Sequence, residues 1–186
     1  MKNLLLAFSS VFLLFARGGF SQCAADSITF SPILYAGASE VQFTSCASGA
    51  DSPRVFPINA TTFDWWYFDA VSDNGTQALT ITFFTSSYIG FSFDLANAID
   101  PLNVYVFVNY GDGSEPVSFP VAATSVTVNT VGNGASGQWT GSGINFQGAS
   151  DLSTYTVTFN NPSLGLEGTF TLKSVSDITV LVFRQT

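Results

Sequence analysis

The 186-residue chain predicts an all-β fold of antiparallel strands, a sandwich or a barrel. Three observations point there. Ser and Thr total 42 residues while Glu totals three and Lys two, so strong helix formers are scarce and β formers abundant. Apolar and polar residues alternate along several short runs, the pattern of half-buried strands. Clusters of Gly, Asn and Asp punctuate those runs, as they do in sandwiches and barrels.

The chain opens with Lys2 and an apolar stretch from Leu4 to Ala16, followed by small residues. Such a stretch is short for a bilayer span and reads as a secretory signal peptide over residues 1–22, ahead of one β domain over 23–186. Cleavage fits Ala16-Arg17-Gly18 or a point a few residues later, and Gln22 before Cys23 is too large for lipoprotein processing. The expected destination is the secretory pathway, with no membrane insertion after leader removal. In that oxidising compartment Cys23 and Cys46 are expected to form one disulfide, worth roughly 3 kcal/mol by loop entropy. Two free or separately oxidised thiols are the alternative. Asn59-Ala60-Thr61 and Asn74-Gly75-Thr76 are N-glycosylation sequons, Asn74 in a turn, whereas the proline of Asn161-Pro162-Ser163 excludes that site.

Strands follow in order. Phe63 to Ser72 is the first, turned by Asp73-Asn74-Gly75 into a return strand over Gln77 to Ser86. Further strands are expected over Ile89–Leu95, Asn103–Asn109, Val117–Val121, Ser125–Val131 and Gly137–Phe146. Thr154–Asn160 alternates Tyr155, Val157 and Phe159 with threonines, and Thr169–Lys173 does the same with Phe170 and Leu172. In Asn103–Asn109 the valines face one way and Tyr105 and Phe107 the other, so both faces are expected to be covered. Ile178 to Phe183 is apolar on both faces and needs a covering or pairing partner.

Charge and composition narrow the function. The net charge is −8, and leader removal leaves three cations against 13 acids, a charge near −10. So few cations cannot neutralise a run of phosphates, which argues against nucleic-acid binding and anionic membrane surfaces. With no histidine and two cysteines, imidazole catalysis and the common zinc sites are unavailable, and no metal or cofactor is expected.

The most informative run is Asp64-Trp65-Trp66-Tyr67-Phe68-Asp69-Ala70-Val71-Ser72. On a strand, Phe63, Trp65, Tyr67 and Asp69 face one way and Asp64, Trp66, Phe68 and Ala70 the other. Neither face is cleanly polar, so both are expected to be covered, either as ordinary core or around an aromatic cavity with a few inward donors.

DWWYFDAVS, the preceding DSPRV and the following ALTITFFTSS resemble the N-terminal domain of the fungal Diels–Alderase family, within the wider hydroxyneurosporene-synthase-like and AttH-like lipocalin-type proteins. GQWTGSGINF and STYTVTFNNPSLGLEGTFTLKS are similar to it as well, so the resemblance runs from about Asp51 to Ser174. It implies a lipocalin-like second domain, a pocket between the two domains, and a pericyclic cyclase acting on a linear polyene from a polyketide or polyketide–peptide synthase. Family members continue past Ser174 where this chain runs ITVLVFRQT, so the chain is expected to be the N-terminal half of such a protein, truncated and inactive in this form, with pairing possible through its C-terminal strand.

Cycloaddition suits this composition because it needs no proton transfer, only a folded polyene and a donor on the activating carbonyl. Trp65, Trp66 and Tyr67 are the expected pocket walls, with Tyr67 also a donor. Asp51 matches the acidic position ahead of the Pro-basic-Val segment, where the resemblance implies a substrate contact or a loop brace. Asp69 is a pocket acid or a structural acceptor, and Phe83 and Thr85 could line the same cavity. Trp139 and Tyr155 read as core. The competing functions are a secreted carbohydrate-binding sandwich, a two-carboxylate glycosidase, for which no spacing selects a pair, and a non-catalytic carrier of an apolar ligand.

Overall fold

The computed structural model describes residues 27–42, 50–51, 53–91 and 100–175. Twelve strands form there, with a single 3-10 turn at Pro162–Leu164. They are β1 (Ser27–Phe30), β2 (Glu40–Gln42), β3 (Arg54–Phe56), β4 (Trp65–Val71), β5 (Ala78–Thr85), β6 (Leu102–Asn109), β7 (Val117–Ala122), β8 (Ser125–Val131), β9 (Gly134–Thr140), β10 (Ile144–Gly148), β11 (Thr154–Asn161) and β12 (Leu166–Lys173).

The fold is an all-β sandwich. A four-stranded antiparallel sheet, β4-β5-β6-β7, faces a six-stranded one, β1-β8-β9-β10-β11-β12, and β2 pairs with β3 alone. Alternation along each strand puts one set of side chains between the sheets. Trp66, Phe68, Ile81, Phe83, Val104 and Val106 come from the smaller sheet, and Val126, Val128, Trp139, Ile144, Phe146 and Val157 from the larger. Their rings meet across the gap: Phe83 lies 4.8 Å from Trp139, and Trp66 meets Trp139 edge-on at 6.0 Å. The Trp139 Nε1–H satisfies itself on the Phe84 carbonyl at 3.0 Å, tying the sheets together by a hydrogen bond.

The expected strands from Phe63 to Val131 match β4 to β8 in order, apart from Ile89–Leu95, most of which lies outside the described residues. The run Gly137–Phe146 is not one strand. It divides into β9 and β10 at Gly141-Ser142-Gly143, where both glycines have positive φ, +90° and +75°. Ser142, fully buried, closes that turn by donating to the Trp139 carbonyl at 2.7 Å and accepting the Ile144 N–H at 2.9 Å. The leader, both cysteines and the apolar C-terminal run lie outside the described residues.

Candidate functional site: the outward face of the four-stranded sheet

Strand alternation divides the aromatic run of β4. Trp66 and Phe68 point into the sandwich, 6% and 7% exposed. Trp65 and Tyr67 point the other way and are 41% and 53% exposed, with Asp69 beside them. The two indoles therefore do not share a wall. Trp66 belongs to the core, packed on Trp139 and Phe146, and the expectation that both faces of this strand are covered holds only for the inner one. Phe83 and Thr85 follow Trp66, not Tyr67. Both sit on the inner side of β5, 0% and 1% exposed, and the Thr85 hydroxyl is buried without a hydrogen-bond partner.

The outward face is built in rows across the sheet. Trp65 lies opposite Phe84, which lies opposite Asn103; Tyr67, Thr82 and Tyr105 form the next row; Asp69, Thr80 and Phe107 the one after. Trp65 is held at one end by a ring cluster. Phe63 stacks on it at 5.3 Å with planes 13° apart, Phe91 approaches it at 5.2 Å, and Phe84 in turn lies 5.5 Å from Phe91. Tyr105 and Phe107 are half-buried. The result is an apolar, aromatic surface carrying two tyrosine hydroxyls and one carboxylate.

Asp51 lies elsewhere, in a buried polar cluster on the inner side. Its carboxylate accepts the Tyr155 hydroxyl, whose oxygen accepts the Ala135 N–H at 3.2 Å, and its own N–H donates to the Asn133 carbonyl. Tyr155 is thus more than the core residue expected from sequence, since its ring packs on Phe68 while its hydroxyl holds Asp51. Nearby, Arg54, 1% exposed, donates to the Val128 carbonyl at 2.9 Å and to the Thr130 hydroxyl at 3.0 Å. Asp64 accepts the Val55 N–H at 3.1 Å.

Burial pushes the Asp64 carboxyl up to about 6, opposed by the Val55 and Trp65 N–H groups and the Arg54 charge. Burial also raises Asp51, against the pull of the Tyr155 hydroxyl, and burial and the Asp51 carboxylate together hold Tyr155 above the ordinary tyrosine range. This cluster ties the 50–56 segment to both sheets. Among the described residues no group of three His, Cys, Asp or Glu side chains is placed to hold a metal ion.

Asn74 is exposed in the β4–β5 turn, its Oδ1 accepting the Thr76 hydroxyl at 2.8 Å. Asn59 is half-buried and its amide donates to the Gly37 carbonyl at 3.2 Å. A separate hollow of about 280 Å³ lies under residues 31–36, against Phe30, Phe56 and Ile58. It is lined by none of the residues expected from sequence.

The sequence profile of Diels-Alderase-like proteins matches residues 21–180. This chain belongs to the Diels-Alderase-like family. It is 36% identical over 145 residues to the quinolone epoxide rearrangement protein asqO of Emericella nidulans, an alignment covering 77% of this chain and 39% of that protein. It is 35% identical over 158 residues to the quinolone epoxide rearrangement protein penF of Penicillium thymicola, covering 81% of this chain and 43% of that one. The family member thus spans about two-fifths of the length of the curated relatives it matches. The crystal structure of CghA with Sch210972 superposes with a TM-score of 0.58 at 26% identity, over 84% of this chain and 38% of CghA.

Sequence reasoning named Trp65, Tyr67 and Asp69, which share the outward face. It also placed Phe63 on that face, but missed Tyr105, Phe107 and Phe91 as their neighbours. The alternation of β6 carried the signal for Tyr105 and Phe107, but only the strand register brings them opposite β4. Arg54 and Asp64 were also missed, although one arginine in so apolar a context is itself a sign of a buried, paired cation.

Proposed function

We propose that this Diels-Alderase-like chain supplies one wall of a chamber in which a flexible, polyunsaturated secondary-metabolite intermediate is isomerised. The reaction favoured here is intramolecular [4+2] cycloaddition of a linear polyene. Trp65 and Tyr67 carry this reading: an indole and a phenol stand side by side on an exposed sheet face whose other side is solid core. An aromatic wall restricts a floppy chain to few conformers, and that restriction lowers the barrier of an intramolecular reaction. The Tyr67 hydroxyl supplies a hydrogen bond to a carbonyl that activates the dienophile and becomes more electron-rich in the transition state. Atoms and electrons stay within the substrate, so the wall needs no proton acceptor.

The relatives' names favour a second reading within the same class. Rearrangement of a quinolone epoxide also keeps all atoms in the substrate, and the same hydroxyl could hold the epoxide oxygen as its C–O bond breaks. The two are separated by offering the chain a linear polyene with an electron-poor alkene and, in parallel, a quinolone epoxide. Faster cyclisation with one stereoisomer enriched supports the first reading. Turnover of the epoxide alone supports the second. Unchanged rates and product ratios with both would overturn the proposal.

A further inference from the structure

The two sheets of the sandwich differ in width, and the cover given by the smaller one ends near β12. Val157 on β11 is fully buried, whereas Phe170 and Leu172 on the same inner face of β12 are only half-buried. β12 is also the last strand of its sheet, and among the described residues no strand pairs with its other edge. One hydrogen bond fixes the backbone directions. Ser174 donates its N–H to the Ser153 carbonyl, just ahead of β11, so Phe170 and Leu172 also direct their backbone groups to β11. Glu167, Thr169, Thr171 and Lys173 then turn their N–H and C=O groups to the open edge.

Such an edge is a template for a further strand unless brevity, proline or charge blunts it. β1 is only four residues long, and β7 carries Pro120. β12 runs for eight residues without proline. Its two charges have opposite sign, and both side chains are exposed on the outer face. Within one chain they stand about 20 Å apart at roughly 3.4 Å per residue, too far to meet. Lys173 and the buried Arg54 are the only cations among the described residues.

The spacing selects the partner. A second β12 laid antiparallel against the first, with the two-fold axis between the two Phe170 residues, sets Glu167 opposite Lys173 of the other copy, and Lys173 opposite its Glu167. Thr169 and Thr171 face each other in the same way. These are the residues whose backbone groups point outward, so the pairs they make are the hydrogen-bonded ones. On the inner face Phe170 meets its own counterpart, and Leu172 comes over Gly168, where a Cβ would touch nothing within 4 Å. A shift of register by two residues in either direction keeps the ladder but loses both ion pairs.

We infer that β12 is a self-recognition edge: two copies of this chain associate by antiparallel pairing of β12 centred on Phe170, with Glu167 matched to Lys173 across the two-fold axis. The two six-stranded sheets become one continuous sheet, and the contact closes on itself. This is independent of the substrate wall, which lies on the other sheet.

Sedimentation velocity of the chain over a hundredfold range of concentration tests it. A monomer–dimer equilibrium that shifts with concentration is expected. Glu167→Lys and Lys173→Glu each set like charges opposite each other at both ends of the contact, and each should weaken association about tenfold. The double variant Glu167→Lys/Lys173→Glu reinstates both pairs and should dimerise as the parent does, a rescue that a damaged fold would not show. In a mixture of isotopically light and heavy protein, carbodiimide should join Glu167 of one copy to Lys173 of the other. A monomer at every concentration, the result if the chain's own Ile178 to Phe183 run takes this edge, would overturn the inference. So would a dimer that neither single reversal weakens, or a double variant no better than the single ones.

Discussion

The Arg54 guanidinium donates to the Val128 carbonyl at 2.9 Å, linking β3 to β8 of the six-stranded sheet from a position that is 1% exposed. A buried cation is tolerated only when paired and hydrogen-bonded, and here the Thr130 hydroxyl and the Asp64 charge complete the environment. Arg54→Ala should therefore destabilise the fold by about 3–5 kcal/mol, because it strands a buried carboxylate and a buried carbonyl. Arg54→Lys should recover only part of this, since an ammonium cannot reach both acceptors with the fork geometry of arginine. Urea unfolding midpoints of the three proteins check the order.

Stability should fall as pH rises between about 4 and 6.5. Asp64 titrates near 6 in the fold against an ordinary 3.8, so across that window the folded state binds more protons than the unfolded one. The sign follows directly: stabilisation by the protonated form is complete below the unfolded value and is lost as pH rises through the folded one. The Asp64 contribution is roughly 3 kcal/mol. Asp51, also raised, adds in the same direction. Asp112 and Asp151, lowered by hydrogen bonds with Ser114 and Ser153 in exposed turns, act in the opposite sense at more acidic pH. Asp64→Asn, whose side-chain carbonyl can still accept the Val55 N–H, should flatten the curve, as read from unfolding midpoints at a series of pH values.

Tyr155→Phe removes a donor to Asp51 and an acceptor for the Ala135 N–H while leaving the ring packed on Phe68. The expected cost is about 1–3 kcal/mol. A double-mutant cycle with Asp51→Asn should show a coupling of roughly 0.5–3 kcal/mol. Strict additivity would mean that the two groups contribute independently.

Adjacent indoles should behave differently. Trp66→Ala opens the core between Trp139 and Phe146 and should cost about 3–5 kcal/mol. Trp65→Ala removes only stacking on Phe63 and Phe91 from a side chain already 41% exposed, and should cost about 1 kcal/mol. Thermal unfolding of the two variants decides it.

Much of the fold was legible because strands advertise themselves locally. Thr154 to Asn160 alternates cleanly, and Asp73-Asn74-Gly75 is a hairpin signal that needs no tertiary context. The β9–β10 turn was missed although Gly141-Ser142-Gly143 is itself a turn signal and the apolar alternation changes phase across it, from Trp139 to Ile144 and Phe146; what the sequence does not show is that the fold buries Ser142 and satisfies it on the backbone. The short strands β1, β2 and β3 escaped because three or four residues carry too little period to detect. At the candidate site, alternation correctly separated Trp65 and Tyr67 from Trp66. What it could not supply was which face meets the other sheet, since both faces of this strand are aromatic. Phe83 and Thr85 were grouped with Tyr67 for the same reason, yet register places Tyr67 opposite Thr82 and Trp66 opposite Phe83.

The most direct test of the outward face of β4 as the substrate wall is the cyclisation rate and stereoisomer ratio of a linear polyene with Trp65→Ala, measured at a temperature where the variant remains fully folded. A rate lower by about tenfold or more, with the stereoisomer ratio drifting towards that of the uncatalysed reaction, is the predicted result. A rate and ratio equal to those of the parent protein would contradict a substrate-facing role for this surface.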